Sequence, residues 1–264
     1  MKKYLLQNKK ALFVLTLIDF FLSVYVKLFS PKKISLEGKK KILLSNIAHI
    51  GDVVIATSVL PHIKKAFPDS KIGFLVASAS ACVVQNHPLV DGIHTIDHWK
   101  INRSPLPLWK KFFLYLKTRN KALTEIRKEK YDIAIDLYYY FPNTIDILWR
   151  AKIPMRIGFT SGGFGPLLTH PLDWKNRREY VSSYYVDLLQ ILFPIEKQTL
   201  VPFLPFRNPV TNISLPTDKN YIVIHPSSGF SLRMWPEEKW KALIQKLSQK
   251  NIPIYFTGKG QKER

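Results

Sequence analysis

Cysteine is nearly absent from this sequence: Cys82 is the only one in 264 residues. A single thiol cannot close an intramolecular disulfide, and a zinc site built from several cysteines is excluded with it. Acidic side chains are also scarce. Lys and Arg number 40 against 19 Asp and Glu, leaving a formal charge of +21 at pH 7. Such a field draws polyanions, whether nucleic acid, anionic lipid headgroups or phosphorylated substrates, and says nothing about fold. The dinucleotide fingerprint G-x-G-x-x-G is missing, as are RRM, KH, zinc-finger and homeodomain signatures, so nucleic acid is not the expected partner. Disorder is excluded by composition, with 46% hydrophobic and only 22% charged residues.

The longest apolar run lies at residues 11–29 (ALFVLTLIDFFLSVYVKLF), preceded by Lys2, Lys3, Lys9 and Lys10. Basic-then-apolar order matches a signal peptide, yet no small-residue cleavage site follows and the chain continues into Pro31-Lys32-Lys33. As a membrane span the run has about the minimum length of roughly 17–25 residues, and Asp19 sits near its middle. The preferred expectation over residues 1–38 is a helix lying in the membrane interface, its flanking lysines favouring anionic lipid. A span, a helix packed on the protein and a cleaved signal are the alternatives.

Beyond Lys41 the pattern alternates. Apolar runs predict strands at 42–44, 72–76, 93–96, 131–137 and 155–159, and helical spacing predicts helices at 53–67, 80–86, 106–130 and 180–192. The helix over 106–130 opposes an apolar stripe to a basic face, read as solvated, with anionic lipid or acceptor phosphates opposite it as the alternative. Alternation of this kind predicts an α/β fold with a mostly parallel sheet covered on both faces. Prolines at 194, 202, 205, 209 and 216 mark an interdomain linker. The pattern then restarts with strands at 221–224 and 252–256 around a helix at 237–249. Three such elements cannot close a second doubly wound domain. The expected division is 1–38, 39–205 and 206–264.

Two loops carry candidate chemistry. The first is Ser45-Asn46-Ile47-Ala48-His49-Ile50-Gly51-Asp52. A strand, a glycine turn at Gly51 and a helix put Asp52 at the carboxyl end of the sheet, where open α/β folds bind ligands. Position alone reads Asp52 first as a helix N-cap, a role compatible with that of a general base. Ile55, three residues on, leaves no capping box. The second loop runs from His225 through Ser227, Ser228 and Gly229 to Arg233, Trp235 and Pro236, with Pro236 suited to the first helical position. Small residues let backbone N–H groups approach phosphate oxygens, and Arg233 has two donors to offer a diphosphate. A surface turn with a solvated arginine is the plainer reading. His94 and His98 have metal-like spacing but no accompanying ligand set, and read as exposed loop histidines. Tyr138, Tyr139, Tyr140 and Phe141 read either as a sugar-stacking surface or as an aromatic wall beneath a domain interface.

The blocks GDVVIATSVLPHIKKAFPDSKIGFLV (51–76), YDIAIDL (131–137), RIGF (156–159) and HPSSG…WPEEKW (225–240) together resemble the heptosyltransferases of glycosyltransferase family nine, in order and spacing, from about Lys41 onward. The resemblance implies a GT-B architecture of two facing Rossmann-like domains, the second only partly present. It implies inverting, metal-independent transfer of a heptose from an ADP-sugar to a lipopolysaccharide core, with no cofactor beyond the donor. Asp52 falls on the family's catalytic base, Ser227 and Ser228 on its phosphate-binding hydroxyls, and Arg233 on its phosphate-binding lysine. Thr257 and Gly258 fall near the nucleotide. The expected partners are a nucleotide sugar, a phosphorylated glycolipid acceptor and an anionic membrane surface. The expected protein is a monomer at the cytoplasmic face of a bacterial inner membrane, peripheral or anchored through its N-terminus. The family's Asp-Ser/Thr-Gly…His block is not reached by Arg264, so a fragment and a non-catalytic remnant both remain alternatives, with a basic nucleic-acid-binding protein the less favoured one.

Overall fold

In the computed structural model the described residues are 4–6, 8–27, 38–204, 220–228, 231–250 and 252–258. The chain divides into two compact units, Met1–Phe206 and Arg207–Arg264. In the first unit, helix α1 (Lys9–Lys27) precedes strand β1 (Lys41–Asn46), helices α2 (Ile50–Ala56) and α3 (Leu60–Ala66), and strand β2 (Lys71–Val76). Short helix α4 (Ala81–Val84), strand β3 (Gly92–Thr95), long helix α5 (Leu108–Glu129), strand β4 (Ile133–Asp136) and helix α6 (Ile145–Arg150) follow. Strands β5 (Met155–Phe159) and β6 (His170–Leu172) and helix α7 (Val181–Leu189) complete it.

All six strands are parallel, in the order β3-β2-β1-β4-β5-β6. The central strands are unbroken apolar runs because helices cover both sheet faces and neither side of the strand meets water. Ile42, Leu44, Ile133, Ile135 and Ile157 pack with α2, α3 and α7 on one face; Leu43, Leu75 and Ala134 pack with α5 and α6 on the other.

The helix expected over 53–67 is interrupted. A 3-10 turn at Thr57–Val59 separates α2 from α3, and Pro61 occupies the first turn of α3, where its missing N–H is no loss. The helix expected at 80–86 shrinks to four residues. Two elements had no sequence signal: α6 is too short for a helical period to stand out, and β6 contains Pro171. That proline is tolerated because β6 is the edge strand.

Helix α1 is not free of the domain. Leu15, Asp19, Leu22 and Val26, spaced for one helical stripe, face the sheet unit, and Asp19 is only 3% exposed. Its carboxylate accepts the Phe164 N–H at 2.8 Å and the Tyr4 hydroxyl at 2.9 Å. Leu15 lies over Gly163, where φ is +84° and a Cβ would come within 2.5 Å of the leucine, so glycine is required there twice over. Leu22 and Val26 pack with Ile145, Leu167 and Leu168. Among the described residues no helix is long and apolar enough to cross a membrane. Among the described residues α1 is not such a span, and the packed alternative is realised along one side of it.

The second unit holds β7 (Ile222–Ile224), α8 (Glu237–Ser248) and β8 (Ile254–Phe256), with β7 and β8 paired in parallel. Pro236 is the residue before α8 rather than its first helical one, and Glu237 and Glu238 fill the first turn, complementing the helix dipole. No α8 residue is buried, and Val223 and Phe256 are both more than half exposed.

Replacing Asp19 with Leu removes the buried acceptor of two donors, each worth about 1–3 kcal/mol when orphaned. We expect Asp19→Leu to lower the unfolding free energy by about 3 kcal/mol and to open α1 to limited proteolysis. A helix as protease-resistant as in the wild type would contradict this anchoring role.

Candidate functional site

The strand order reverses direction between β1 and β4, the place where open α/β sheets leave a crevice at the strands' carboxyl ends. Asp52 follows β1 and the tyrosines 138–140 follow β4, so both lie at this switch point. Asp52 is the third residue of α2. His49, in extended conformation, takes the N-cap position and donates its backbone N–H to Asp52 Oδ2 at 3.1 Å. Both expectations for the local capping are thus corrected. The helix starts three residues earlier than expected, so Asp52 reaches back from the third position and supplies the carboxylate half of a capping box in which Ile55 takes no part. Asp52 Oδ1 accepts no hydrogen bond from another described residue.

Gly51 is likewise not a turn residue. Its backbone is helical, and a Cβ there would meet nothing within 4 Å. Protein packing alone does not call for glycine at this position; the space beside it is open. That space is a cavity of about 560 Å³ lined by Ala48, His49, Gly51, Ser80, His98 and Arg103 among others. Arg103, on the loop after β3, lies close enough for its charge to help hold the His49 imidazole below its usual range, after burial as the larger cause. His98 is buried, not loop-exposed as expected, and stacks on Trp99. Its Nδ1 accepts the Lys100 N–H, and burial pushes its pKa down to about 4, so the neutral ring carries its proton on Nε2. His94 is buried as well, between Glu125 and the Tyr131 hydroxyl. It belongs to a separate cavity of about 570 Å³ at the amino end of the sheet, the end opposite the one where such folds bind ligands. Nothing in the sequence singled out Arg103, since a lone loop arginine has no periodicity or partner spacing to mark it.

Across the switch point, Asp136 fixes the tyrosine loop. Its buried carboxyl accepts hydrogen bonds from Ser45 Oγ, the Tyr138 N–H and the Thr144 N–H, each at 3.2 Å. On the far side, Ser161 Oγ donates to the Tyr139 carbonyl at 2.7 Å. Tyr139 stacks on Trp174 (5.0 Å, 9°), and Trp174 stacks on Tyr184. Tyr139 is therefore part of an aromatic wall, while Tyr140 is exposed. Burial, followed by the negative charge of Asp52, pushes the Tyr138 hydroxyl up to about 12. Tyr185 rises for the same two reasons in that order. These phenols stay protonated near Asp52.

In the second unit, β7 and β8 bring two stretches to one carboxyl edge. Ser227 and Ser228 follow β7, and Thr257 and Gly258 follow β8. His225 Nδ1 contacts the Thr257 carbonyl at 2.9 Å and its hydroxyl at 3.1 Å, tying the two together. The Ser227 hydroxyl is buried without a hydrogen-bond partner among the described residues. Arg233 is exposed on the 3-10 turn Ser231–Arg233 ahead of α8. Gly229 and the linker residues 205–219 lie outside the described residues.

A parallel α/β sheet with a carboxylate, Asp52, following its switch-point strand and a hydroxyl-rich edge on a second unit fits the class of nucleotide-sugar-dependent transferases. The family model for glycosyltransferase family 9 (heptosyltransferase) matches residues 119–264, more than half of the chain, and the chain belongs to that family. It is similar to lipopolysaccharide heptosyltransferase 3 of Escherichia coli, 22% identical over 222 residues, and to lipopolysaccharide heptosyltransferase 1 of Campylobacter coli, 25% identical over 227 residues. These matches take in 81% of this chain but only 62% of each relative. Among solved structures, the glycosyl transferase family 9 protein from Veillonella parvula DSM 2008 matches with TM-score 0.63 at 18% identity, over 83% of this chain and 62% of that one. The E. coli ADP-heptose lps heptosyltransferase II matches with TM-score 0.63 at 17% identity, over 84% and 65%. The expected α/β fold is thus that of the family's GT-B structures.

Two measurements probe this geometry. Gly51→Ala adds a methyl to open space and gains helix propensity, so we expect stability to stay the same or rise by up to about 1 kcal/mol. A loss above that size in a melting experiment would mean the space is not open. His98 resists protonation until about pH 4 when folded, whereas the unfolded ring takes up its proton near 6.5. The unfolded state then binds more protons between these values, so stability falls as pH drops through that window, by up to about 3 kcal/mol. Urea unfolding at pH 7 and pH 4 should show this loss largely removed in His98→Phe. An unchanged pH dependence would contradict the buried neutral ring.

Proposed function

We propose that this protein transfers a heptose-like sugar from a nucleotide-diphosphate donor to a lipopolysaccharide core or similar glycolipid acceptor, with inversion and without a metal. The observation that carries the reading is Asp52: a carboxylate at the switch point, held by His49 through one oxygen, with the other taking no hydrogen bond from the described residues and a cavity beside its helix turn. Asp52 takes the proton of the acceptor hydroxyl as that oxygen attacks the anomeric carbon. The bond from that carbon to the diphosphate breaks, and its electron pair leaves on the diphosphate. Ser227, Ser228 and Arg233 receive that charge, with Thr257 and Gly258 toward the nucleotide. Hydrogen bonds to a departing diphosphate strengthen as charge develops, which is where such donors contribute to rate. The E. coli heptosyltransferase solved with ADP-2-deoxy-2-fluoro heptose has the same fold (TM-score 0.61), which supports an ADP-linked donor. A phosphorylated lipid-linked acceptor suits the charge of +21 and a site of action at the cytoplasmic face of the inner membrane, on an anionic surface.

Asp52→Asn keeps the shape and an acceptor for His49 but removes the base. We expect sugar transfer to fall by about 10²–10⁴-fold with an unchanged melting temperature. Undiminished transfer would remove Asp52 from the mechanism.

A further inference from the structure

The outward side of α1 is not used by the reading above. Opposite its docking stripe, Phe13, Val14, Leu17, Phe20, Phe21 and Val24 are exposed, the three phenylalanines by 70%, 61% and 62%. The first turns of α5 carry a second such stripe, in which Leu108, Trp109, Phe112 and Phe113 are exposed. Both helices pack against α6, α5 from the side of β3 and α1 together with the turns at 163–168. Tyr25 of α1 meets Trp149 of α6 edge-on at 6.1 Å, and Arg119 of α5 pairs with Asp146 of α6 at 2.8 Å.

Their direction matters. The Leu5 N–H, just ahead of α1, bonds to the Ser161 carbonyl just after β5, and α5 leaves the loop after β3. Both helices therefore begin at the carboxyl end of the sheet, the end that holds Asp52. Their charges agree as well. Lys9, Lys10, Lys110 and Lys117 are exposed beside the apolar stripes. Asp19, the one acidic residue of α1, is buried, and α5 has none before Glu125. Apolar aromatics bordered by lysines, with no exposed carboxylate between them, match the chemistry of an anionic membrane surface. A second copy of the chain would set lysine against lysine.

We propose that α1 and α5 form one docking face for an anionic lipid bilayer, with both helices lying flat in the headgroup region and the carboxyl edge of the sheet held beside it. The face stands on its own geometry and does not depend on the role given to Asp52.

Co-flotation of the full chain with phosphatidylethanolamine–phosphatidylglycerol vesicles tests it, with pure phosphatidylcholine vesicles as the uncharged comparison. The wild type should float with the anionic vesicles and at least about tenfold less with the neutral ones. The pairs Phe20→Ser with Phe21→Ser, and Trp109→Ser with Phe113→Ser, should each reduce partitioning by about tenfold or more while keeping the wild-type melting temperature. Quenching by brominated lipid in the otherwise wild-type chain should fall on Trp109→Phe, a readout that needs no loss-of-binding variant. The proposal is overturned if the wild type stays out of anionic vesicles, if both pairs float like the wild type, or if light scattering shows instead a dimer that the substitutions dissolve. No turnover is read, so a failed assignment of Asp52 leaves these outcomes unchanged.

Discussion

Asp136, closed off from water at the end of β4, takes hydrogen bonds from Ser45 on β1 and from Tyr138 and Thr144 in the loop that follows it. Burial pushes its carboxyl up to about 6, and the same hydrogen bonds work against that shift. This clasp spans the two strands at which the sheet changes direction. It sets where the tyrosine loop leaves β4 relative to where the Asn46–Asp52 loop leaves β1. Without it, the crevice beside Asp52 would have no defined far wall. The clasp is also why Tyr139 can commit to its stack on Trp174: the loop is held at its base by Asp136 and at its crest by Ser161.

Much of this was legible in the sequence, for a physical reason. A parallel strand buried on both faces has to be a short, unbroken apolar run, and 42–44, 72–76, 131–137 and 155–159 could be read as strands on that basis. The carboxyl-end position of Asp52 follows from strand-then-helix order alone. What the sequence hid depends on contacts distant along the chain. Asp136 sits inside an apolar strand pattern with nothing to mark it as a clasp. His49 as a cap was obscured because the preferred capping residues do not include histidine. Arg103 and His98 reach the cavity only because the loop after β3 folds toward α2.

The amino-terminal helix shows the same limit from the other side. Its composition alone set Asp19 as a penalty, since a carboxylate in hydrocarbon is costly. The fold turns the same side chain inward, where the Phe164 N–H and the Tyr4 hydroxyl satisfy it. One residue thus decides which side of α1 faces the protein and which side is left apolar and exposed. Hydrophobicity averaged along the helix cannot report that choice.

The central claim is that the cavity at the carboxyl ends of β1, β2 and β3, beside the first turn of α2, holds the sugar acceptor against Asp52. A crystal structure with a bound acceptor oligosaccharide tests it most directly. The account predicts the sugar in the cavity between the 46–52 and 97–104 loops, with a hydroxyl about 3 Å from the Asp52 carboxylate. A sugar seated instead in the amino-end cavity beside Lys71 and Tyr131, or one with every hydroxyl out of reach of Asp52, would contradict it.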